Sequence, residues 1–226
     1  DLRTWSAHAY PDPVYRETVG TLWSDAVKTA QATQTAIAPI ECNVTCRDGR
    51  VSITEIAGVM LEADCLVTFI DVTGQREQQQ LLEFGNAILH HISTGAPQAE
   101  VLEYICREIE GRDPAMRCSI LLLDEAGERL HGGVAPSLPP AYNAVVDGVP
   151  IGPAAGSCGT AAYLGREVFV AEIASDPLWA DYKHLALAHG LAACWSSPIV
   201  STEGKVLGTF GIYWLAPRPE VSTIAR

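Results

Sequence analysis

The stretch from Gly152 to Gly165 holds the residues whose types and spacing best suit the binding of a small ligand. It reads Gly-Pro-Ala-Ala-Gly-Ser-Cys-Gly-Thr-Ala-Ala-Tyr-Leu-Gly. Glycines allow a sharp turn with exposed amides, and Ser157 could cap a helix that begins at Cys158. Amides at a helix start suit an anion or a carbonyl group, so Ser157, Cys158 and Thr160 are candidate ligand contacts. A tight turn that merely lets a helix pack closely is the alternative, and both remain open.

Aromatic and hydroxyl side chains follow this loop on segments that could fold back over it. Trp179, Tyr182 and Trp195 combine apolar bulk with a polar edge, which suits a planar ligand, although aromatic residues of this kind are more often core residues. Ser196 and Ser197 are consecutive in a predicted strand, so only one of them can face the pocket. We predict that Ser197 is the one.

Several kinds of enzyme site are missing from the sequence. No lysine follows Gly156 or Gly159 as a Walker loop requires, and the Gly-x-Gly-x-x-Gly pattern is also missing, which argues against nucleotide hydrolysis. Cys42 and Cys46 are spaced like metal ligands, but no histidine or cysteine near them completes a zinc set. No catalytic triad is recognisable. We therefore expect no enzymatic activity from this chain.

The composition is that of an ordinary globular protein. The chain has 226 residues, of which 48% are hydrophobic, and its net charge of −12 argues against non-specific binding to nucleic acid. No apolar run approaches the roughly 20 residues of a membrane-spanning helix, and the first residues do not resemble a signal peptide. Seven scattered cysteines favour a reducing compartment, so we expect a cytoplasmic protein.

Residues 1–74 form the first part of the predicted organisation. A helix is expected from Asp12-Pro13 towards Thr35, followed by three strands at 40–46, 51–56 and 65–71 with a turn at Asp48-Gly49. This order, ending in Asp-Val-Thr, resembles the C-terminal half of a PAS domain. The early strands of that fold have no counterpart here, so the chain is expected to start in mid-domain and to lack a complete PAS pocket.

Such a partial sheet would leave one apolar face without its usual cover. We therefore predict that Val44, Val51, Ile53, Phe69 or their neighbours are covered by a second chain or by the following helix.

A connecting helix is predicted over residues 75–93. Leu81, Gly85, Ile88 and Ile92 lie four, three and four residues apart, which is the spacing of a coiled-coil seam. The helix could form a homodimer contact or pack on its own domain, and fewer than three heptads cannot decide between these alternatives.

The rest of the chain resembles a GAF sensory domain over residues 81–216. The resemblance rests on Gly-Ser-Cys-Gly-Thr, Asp-Pro-Leu-Trp and Cys-Trp-Ser-Ser-Pro, which occur here in that order. The expected fold class is α+β, with an antiparallel sheet and flanking helices. Residues 217–226 suggest the start of a truncated C-terminal helix, so the sequence is expected to be a fragment that lacks its output domain.

The sequence contains none of the ligand-binding motifs that known GAF domains use for bilins or cyclic nucleotides. The Cys-His pair or Asp-Ile-Pro element of bilin-binding members is missing, as is the residue set of cyclic-nucleotide-binding members. Haem would need an axial ligand, and His184 and His189 lie on different faces of one short helix. The cofactor therefore stays unknown.

The resemblance implies a non-catalytic sensory input module of a bacterial signalling protein. Its expected partners are an unidentified small molecule and a second copy of the chain, without nucleic acid or a membrane segment. The expected output domain is a cyclic-di-GMP synthase or phosphodiesterase, followed by a histidine kinase.

A thiol enzyme like the free methionine sulfoxide reductases is the alternative. Those GAF-fold enzymes carry a similar Gly-x-Cys-Gly-Thr segment, with Cys158 at a helix start and Cys194 as a possible second thiol. The cysteine that they place shortly before the loop is replaced here by Val146–Pro150. We expect Cys158 to be buried and inert.

Overall fold

The computed structural model describes residues 2–61 and 64–218, and the chain divides into two compact units at Ala87/Ile88. Within the described residues, no helix is long and apolar enough to cross a membrane. The C-terminal helix predicted at 217–226 lies outside the described residues from position 219 onwards.

The first unit is a three-stranded antiparallel meander with two helices packed on one face. Its sheet has the order β1-β2-β3. Asp12 begins the long helix, because its carboxylate accepts the Val14 amide hydrogen and Pro13 occupies the first helical position. The elements are α1 (Leu2–Ala9), α2 (Pro13–Thr33), β1 (Ile37–Thr45), β2 (Val51–Leu61) and β3 (Asp64–Asp71). The three strands and α2 occur where the sequence predicts them, whereas α1 was not predicted.

The apolar residues of this meander lie on two faces, and not on the single face that the prediction assumed. Val44 is on the face that packs against Tyr10 and Val19, and the Phe69 ring meets the Trp5 ring there at 5.4 Å. Val51 and Ile53 lie on the opposite face, because side chains alternate along a strand. That opposite face also carries the exposed side chains of Val59, Leu61, Leu66 and Ile70.

Helix α3 (Thr73–Ser93) follows the meander and contains the predicted 75–93 segment. It buries none of its residues, so it does not provide the cover that was predicted as one alternative for the meander. Its first turn is fixed by Asp71, whose carboxylate accepts hydrogen bonds from the Thr73 amide and hydroxyl. Arg76 and Glu41 form an ion pair beside it.

The second unit is a six-stranded sheet with helices on both faces. The strand order is β6-β5-β4-β9-β8-β7, and all neighbouring strands are antiparallel. This agrees with the α+β class that the sequence predicts. Its elements are α4 (Gln98–Glu110), β4 (Met116–Leu123), β5 (Arg129–Val134), α5 (Pro140–Val146), β6 (Val149–Pro150), α6 (Gly156–Leu164), β7 (Val168–Val170), a 3-10 turn (Pro177–Trp179), α7 (Lys183–Ala188), β8 (Ala193–Val200) and β9 (Val206–Trp214).

Each face of this sheet has its own core. On one face, which we call the α4 face, helix α4 packs against side chains that alternate along β4, β8 and β9. On the other, which we call the α6 face, α5, α6 and α7 cover the side chains between them. The α4 face holds Cys106, Cys118, Ile120, Trp195, Ile212 and Trp214, and the α6 face holds Leu121, Tyr142, Cys158, Trp179, Cys194 and Tyr213.

Candidate functional site

A narrow cavity lies on the α6 face, between the sheet and helices α5, α6 and α7. Its volume is about 30 Å³, which is enough for one or two water molecules. Its walls are mostly apolar and aromatic, with a small polar region at the start of α6, as is usual for small-molecule pockets. The lining residues include Leu121, Leu130, Tyr142, Ser157, Cys158, Trp179, Tyr182 and Tyr213.

The glycine loop positions the start of α6 by close packing and not by a side-chain cap. Gly156 has a φ of 64°, a conformation that favours glycine, and the Trp179 ring lies against it. The Trp179 indole N–H donates to Ser157 Oγ at 3.0 Å. The Thr160 hydroxyl accepts the Ala155 amide hydrogen at 3.1 Å and so closes the loop.

The predicted cap at Ser157 is therefore wrong. Helix α6 begins at Gly156, two residues earlier than predicted, with Ala155 as its N-cap residue and no side-chain cap hydrogen bond. The Ser157 hydroxyl accepts from Trp179 instead, so it joins α6 to the 3-10 turn.

A cluster of thiol and hydroxyl groups forms the polar region around Cys158 in the first turn of α6. The Cys158 sulfur lies 3.0 Å from Ser196 Oγ and 3.6 Å from the Tyr213 hydroxyl. The Cys194 sulfur lies 3.7 Å from the same Ser196 oxygen. Gly211 lies beneath the cluster, where a Cβ atom would come within 3.0 Å of Cys158 Sγ. The missing side chain thus allows α6 to approach the sheet.

The surroundings shift the pKa values of the two thiols in this cluster in opposite directions. The pKa of Cys158 is lowered to about 6, chiefly because Cys194 donates a hydrogen bond to it, with help from Ser196 and Tyr213 and against the cost of burial. The pKa of Cys194 is raised well above its usual value by burial and by its neighbour Cys158. Cys158 is buried as predicted, with 7% of its surface exposed, but a low pKa does not fit the inert thiol that was expected.

A second small cavity adjoins the first. It has about 60 Å³ and shares Leu121, Tyr142, Val146 and Tyr213 with the first cavity as lining residues. Ser119 also lines it, and among the described residues its buried hydroxyl has no hydrogen-bond partner. Because an unpaired buried hydroxyl costs free energy, this position favours a bound water or a polar ligand group.

The structure brings together four of the seven predicted site residues. Ser157, Cys158, Trp179 and Tyr182 all line the first cavity. Thr160 does not line the cavity. It is fully buried, and its hydroxyl accepts the Ala155 amide hydrogen in the glycine loop.

Trp195 and Ser197 lie on the opposite side of the sheet from the cavity. The Trp195 ring packs against the Phe210 ring in the α4-face core, with 6.1 Å between the ring centres. Ser197 follows Trp195 by two residues along β8, so it lies on the same face of the sheet. Our choice of Ser197 over Ser196 is therefore not supported, since Ser196 is the serine that contacts Cys158. Counting in steps of two from Cys194 would have placed Ser196 beside the glycine loop.

Sequence reasoning missed the residues that close the cavity from other elements. Tyr142 on α5 meets the Tyr213 ring edge-on at 5.9 Å, and Leu121 lies beside them on β4. Tyr142 is fully buried, although it belongs to a seven-residue helix with no strong pattern. The Tyr213 position could have been found by alternation along β9, whereas nothing in the sequence joins Tyr142 to it.

The histidines considered for haem lie away from this site. Neither His184 nor His189 lines either cavity, and His189 instead packs edge-on against Tyr142 at 5.7 Å. In the part of the chain that the structure describes, no group of three His, Cys, Asp or Glu side chains could hold a metal ion.

Comparison with known proteins agrees with this architecture. The sequence profile of the GAF domain family matches residues 95–223, which is more than half of the chain. The chain therefore belongs to the GAF domain family.

A curated relative is a sensor. It is the methyl sulfide methyltransferase-associated sensor of Methanosarcina acetivorans, 37% identical over 144 residues. The match covers 64% of this chain and 14% of the relative, so the chain spans about one seventh of that protein's length.

Two solved structures that match part of this chain are a GAF domain and a reductase. The GAF domain of a phosphoenolpyruvate-protein phosphotransferase from Coxiella burnetii is 16% identical, with a TM-score of 0.49 over 62% of this chain and 81% of that one. Free methionine-R-sulfoxide reductase from Neisseria meningitidis, in complex with its substrate, is also 16% identical, with a TM-score of 0.46 over 59% of this chain and 72% of that one.

Proposed function

We propose that this chain is a non-catalytic sensory module that detects a small ligand in the GAF cavity. The observation that carries the proposal is the cavity itself, in which aromatic side chains face a polar region at the start of α6. Family membership and the sensor relative support the same conclusion.

Ligand binding would have to widen this cavity, since its present volume is small. Tyr142 lines both cavities, and it belongs to the short helix α5. A ligand that displaces Tyr142 would join the two spaces and bring the unpaired Ser119 hydroxyl within reach. In this proposal, ligand binding in the cavity moves α5 relative to the sheet, and this movement shifts the conformational equilibrium of the rest of the protein.

Native mass spectrometry of the purified chain tests this proposal, because it reports bound mass directly. Tyr182→Ala removes an aromatic wall and should weaken a ligand by about 1–3 kcal/mol if the contact resembles other aromatic contacts. Tyr163→Ala is the matched control, since Tyr163 lies on α6 but is exposed outside the cavity. A chain that carries no added mass, and that no compound in a metabolite panel stabilises against heat, would contradict the proposal.

The protein to which this module belongs is proposed on sequence resemblance. A cyclic-di-GMP synthase or phosphodiesterase is the first candidate for its output and a histidine kinase the second. The first unit, with its helix and antiparallel meander, is proposed as the C-terminal half of a PAS domain. A cytoplasmic location is part of the same proposal.

Helix α3 is proposed to form a homodimer with a second copy of the chain. At 100° per residue, Leu81, Leu82, Leu89 and Ile92 fall within one third of the helix surface, and all four are more than half exposed. Large apolar stripes of this kind are rarely left in contact with water.

Light scattering on size-exclusion chromatography tests the dimer. The double substitution Leu82→Glu and Leu89→Glu should convert a dimer into a monomer, because it places charges within the stripe. Gln80→Glu and His90→Glu, which add the same number of negative charges at exposed polar positions on the opposite side of α3, should leave the dimer intact. A wild-type chain that is monomeric at micromolar concentration would contradict this part of the proposal.

A thiol enzyme remains the second candidate, because the lowered pKa of Cys158 suits a nucleophile. We expect no reduction of free methionine sulfoxide by the purified chain with thioredoxin. Turnover that Cys158→Ser abolishes would replace the sensor proposal by an enzyme.

A further inference from the structure

The cluster around Cys158 contains two thiols in different positions, because Cys158 lines the cavity and Cys194 does not. The proposed binding of a small ligand does not use this difference. We propose that a hydroperoxide oxidises Cys158, and that Cys194 then closes a disulfide with it, so that the cavity also works as a thiol switch. The switch is independent of the ligand, because it needs only a small oxidant that reaches the Cys158 sulfur.

Geometry favours Cys158 as the residue that is attacked first. Cys158 lines the cavity, whereas Cys194 is fully buried and is not among the lining residues. Ser196 and Tyr213 hydroxyls stand 3.0 and 3.6 Å from the Cys158 sulfur and can donate to a thiolate there. The position in the first turn of α6 adds the favourable end of the helix dipole.

Geometry also favours Cys194 as the partner. The Ser196 hydroxyl oxygen lies 3.0 Å from the Cys158 sulfur and 3.7 Å from the Cys194 sulfur, so both thiols lie next to the same oxygen atom. The pKa of Cys194 is raised first by burial, then by hydrogen bonding to Cys158 and by the negative charge on Cys158, so Cys194 is held as a neutral thiol. Oxidation of Cys158 removes that charge, so Cys194 becomes easier to ionise only after the first step.

The two steps balance without another reactant. In the first, the Cys158 thiolate attacks a peroxide oxygen, the O–O bond breaks, and the departing oxygen takes up a proton as water or an alcohol. This leaves a sulfenic acid on Cys158. In the second, Cys194 sulfur attacks Cys158 sulfur, the S–O bond breaks, and the hydroxyl leaves as water with the Cys194 proton. Two thiols are oxidised by two electrons, and one peroxide is reduced.

The chain contains its own control pair on the other face of the sheet. Cys106 and Cys118 are both fully buried in the α4-face core and lie beside each other. Burial raises the pKa of Cys106 to about 12, and burial raises that of Cys118 as well. Neither lines either of the two cavities. These two cysteines should stay reduced under conditions that oxidise Cys158.

The test treats the reduced full chain with hydrogen peroxide, blocks the remaining thiols after denaturation, and maps the peptides by mass spectrometry without reduction. We expect a linked Cys158–Cys194 peptide, while Cys106 and Cys118 are recovered as blocked thiols. The initial rate should fall about tenfold from pH 7 to pH 5, because the thiolate fraction of a thiol with a pKa of about 6 falls by that factor. This readout uses the wild-type chain and does not depend on any variant folding.

Three variants sharpen the test. Cys194→Ser should leave a sulfenic acid on Cys158 that dimedone traps, Cys158→Ser should leave Cys194 reduced, and Cys118→Ser should still form the disulfide. Oxidation of Cys158 no faster than that of Cys106 would overturn the proposal. So would oxidation of Cys158 in the wild-type chain that leaves Cys194 reduced.

Discussion

The two faces of the six-stranded sheet use similar residues in different ways. Each has a pair of buried cysteines and at least one buried tryptophan. The α4 face holds Cys106, Cys118, Trp195 and Trp214, and the α6 face holds Cys158, Cys194 and Trp179. On the α4 face, the Cys106 thiol donates to the Val134 carbonyl oxygen at 3.9 Å, and the Glu110 carboxyl acts on both sulfurs. The α6 face places hydroxyls around one sulfur and leaves cavities beside it.

This difference teaches that burial alone does not decide the chemistry of a thiol. Without hydrogen-bond donors, burial disfavours the thiolate, as at Cys106. With several donors aimed at one sulfur, the same burial accompanies a lowered pKa, as at Cys158. The α4 face is therefore a packing surface and the α6 face is the candidate site.

Replacing Trp179 or Trp195 should have the largest effect on stability. Trp179→Ala and Trp195→Ala should each lower the free energy of unfolding by about 3–5 kcal/mol, because each removes a large buried side chain. Only Trp179→Ala should also shift the pH midpoint of Cys158 alkylation, since Trp179 holds Ser157 at the start of α6. Denaturant unfolding and iodoacetamide labelling measure the two quantities. Equal shifts of the midpoint in both variants would remove the distinction between the faces.

A methyl group added at Gly211 should give an intermediate effect. Its Cβ would lie 3.0 Å from Cys158 Sγ and 3.1 Å from Ser119 Oγ, so α6 would have to move away from the sheet. Gly211→Ala should cost about 1–3 kcal/mol of unfolding free energy. Gly152→Ala is the control, because its Cβ would meet only Ala155 Cβ at 3.9 Å, and it should change stability by less than about 0.5 kcal/mol. A neutral Gly211→Ala would show that the contact between α6 and the sheet is looser than described.

The pH dependence of stability is the third prediction, and its sign distinguishes the two faces. The pKa of Cys158 is about 6 in the folded chain and 9.0 as its ordinary value, so the unfolded state binds more protons between these pH values. The free energy of unfolding should therefore rise from pH 6 to pH 9 through this group, and the gain is lost as pH falls through 6. Cys158→Ser should flatten the rise.

Cys106→Ser is the control for this titration. Its pKa is raised, so its contribution is present below pH 9 and is lost only above it. Urea unfolding at half-unit pH steps measures both variants, and an unchanged slope in Cys158→Ser would contradict the lowered pKa.

Much of the fold could be predicted from local patterns. Asp12-Pro13 predicts the start of α2, and the turn at Asp48-Gly49 joins β1 to β2 where expected. Helix α3 also contains the predicted helix at 75–93. These elements are set by capping, turn residues and periodicity, which act over short distances along the chain.

The site was predicted less completely, because its parts come from different elements. The glycine motif and Trp179 were found by their residue types. Trp195 was assigned to the pocket for the same reason, but its position along β8 turns it to the α4 face. The type of a residue indicates which contacts its side chain can make. Whether its position along the strand is odd or even decides which face of the sheet the side chain lies on.

The sequence by itself determined the family, the order of helices and strands, and the glycine loop with its cysteine, since all of these depend on residues close together in the chain. The tertiary structure alone decided which thiol is activated. Cys158, Cys194, Ser196 and Tyr213 are separated by up to 55 positions, and they meet only because β8 and β9 pair in one register beneath α6. A pKa depends on the distances between such groups, and no local pattern contains those distances.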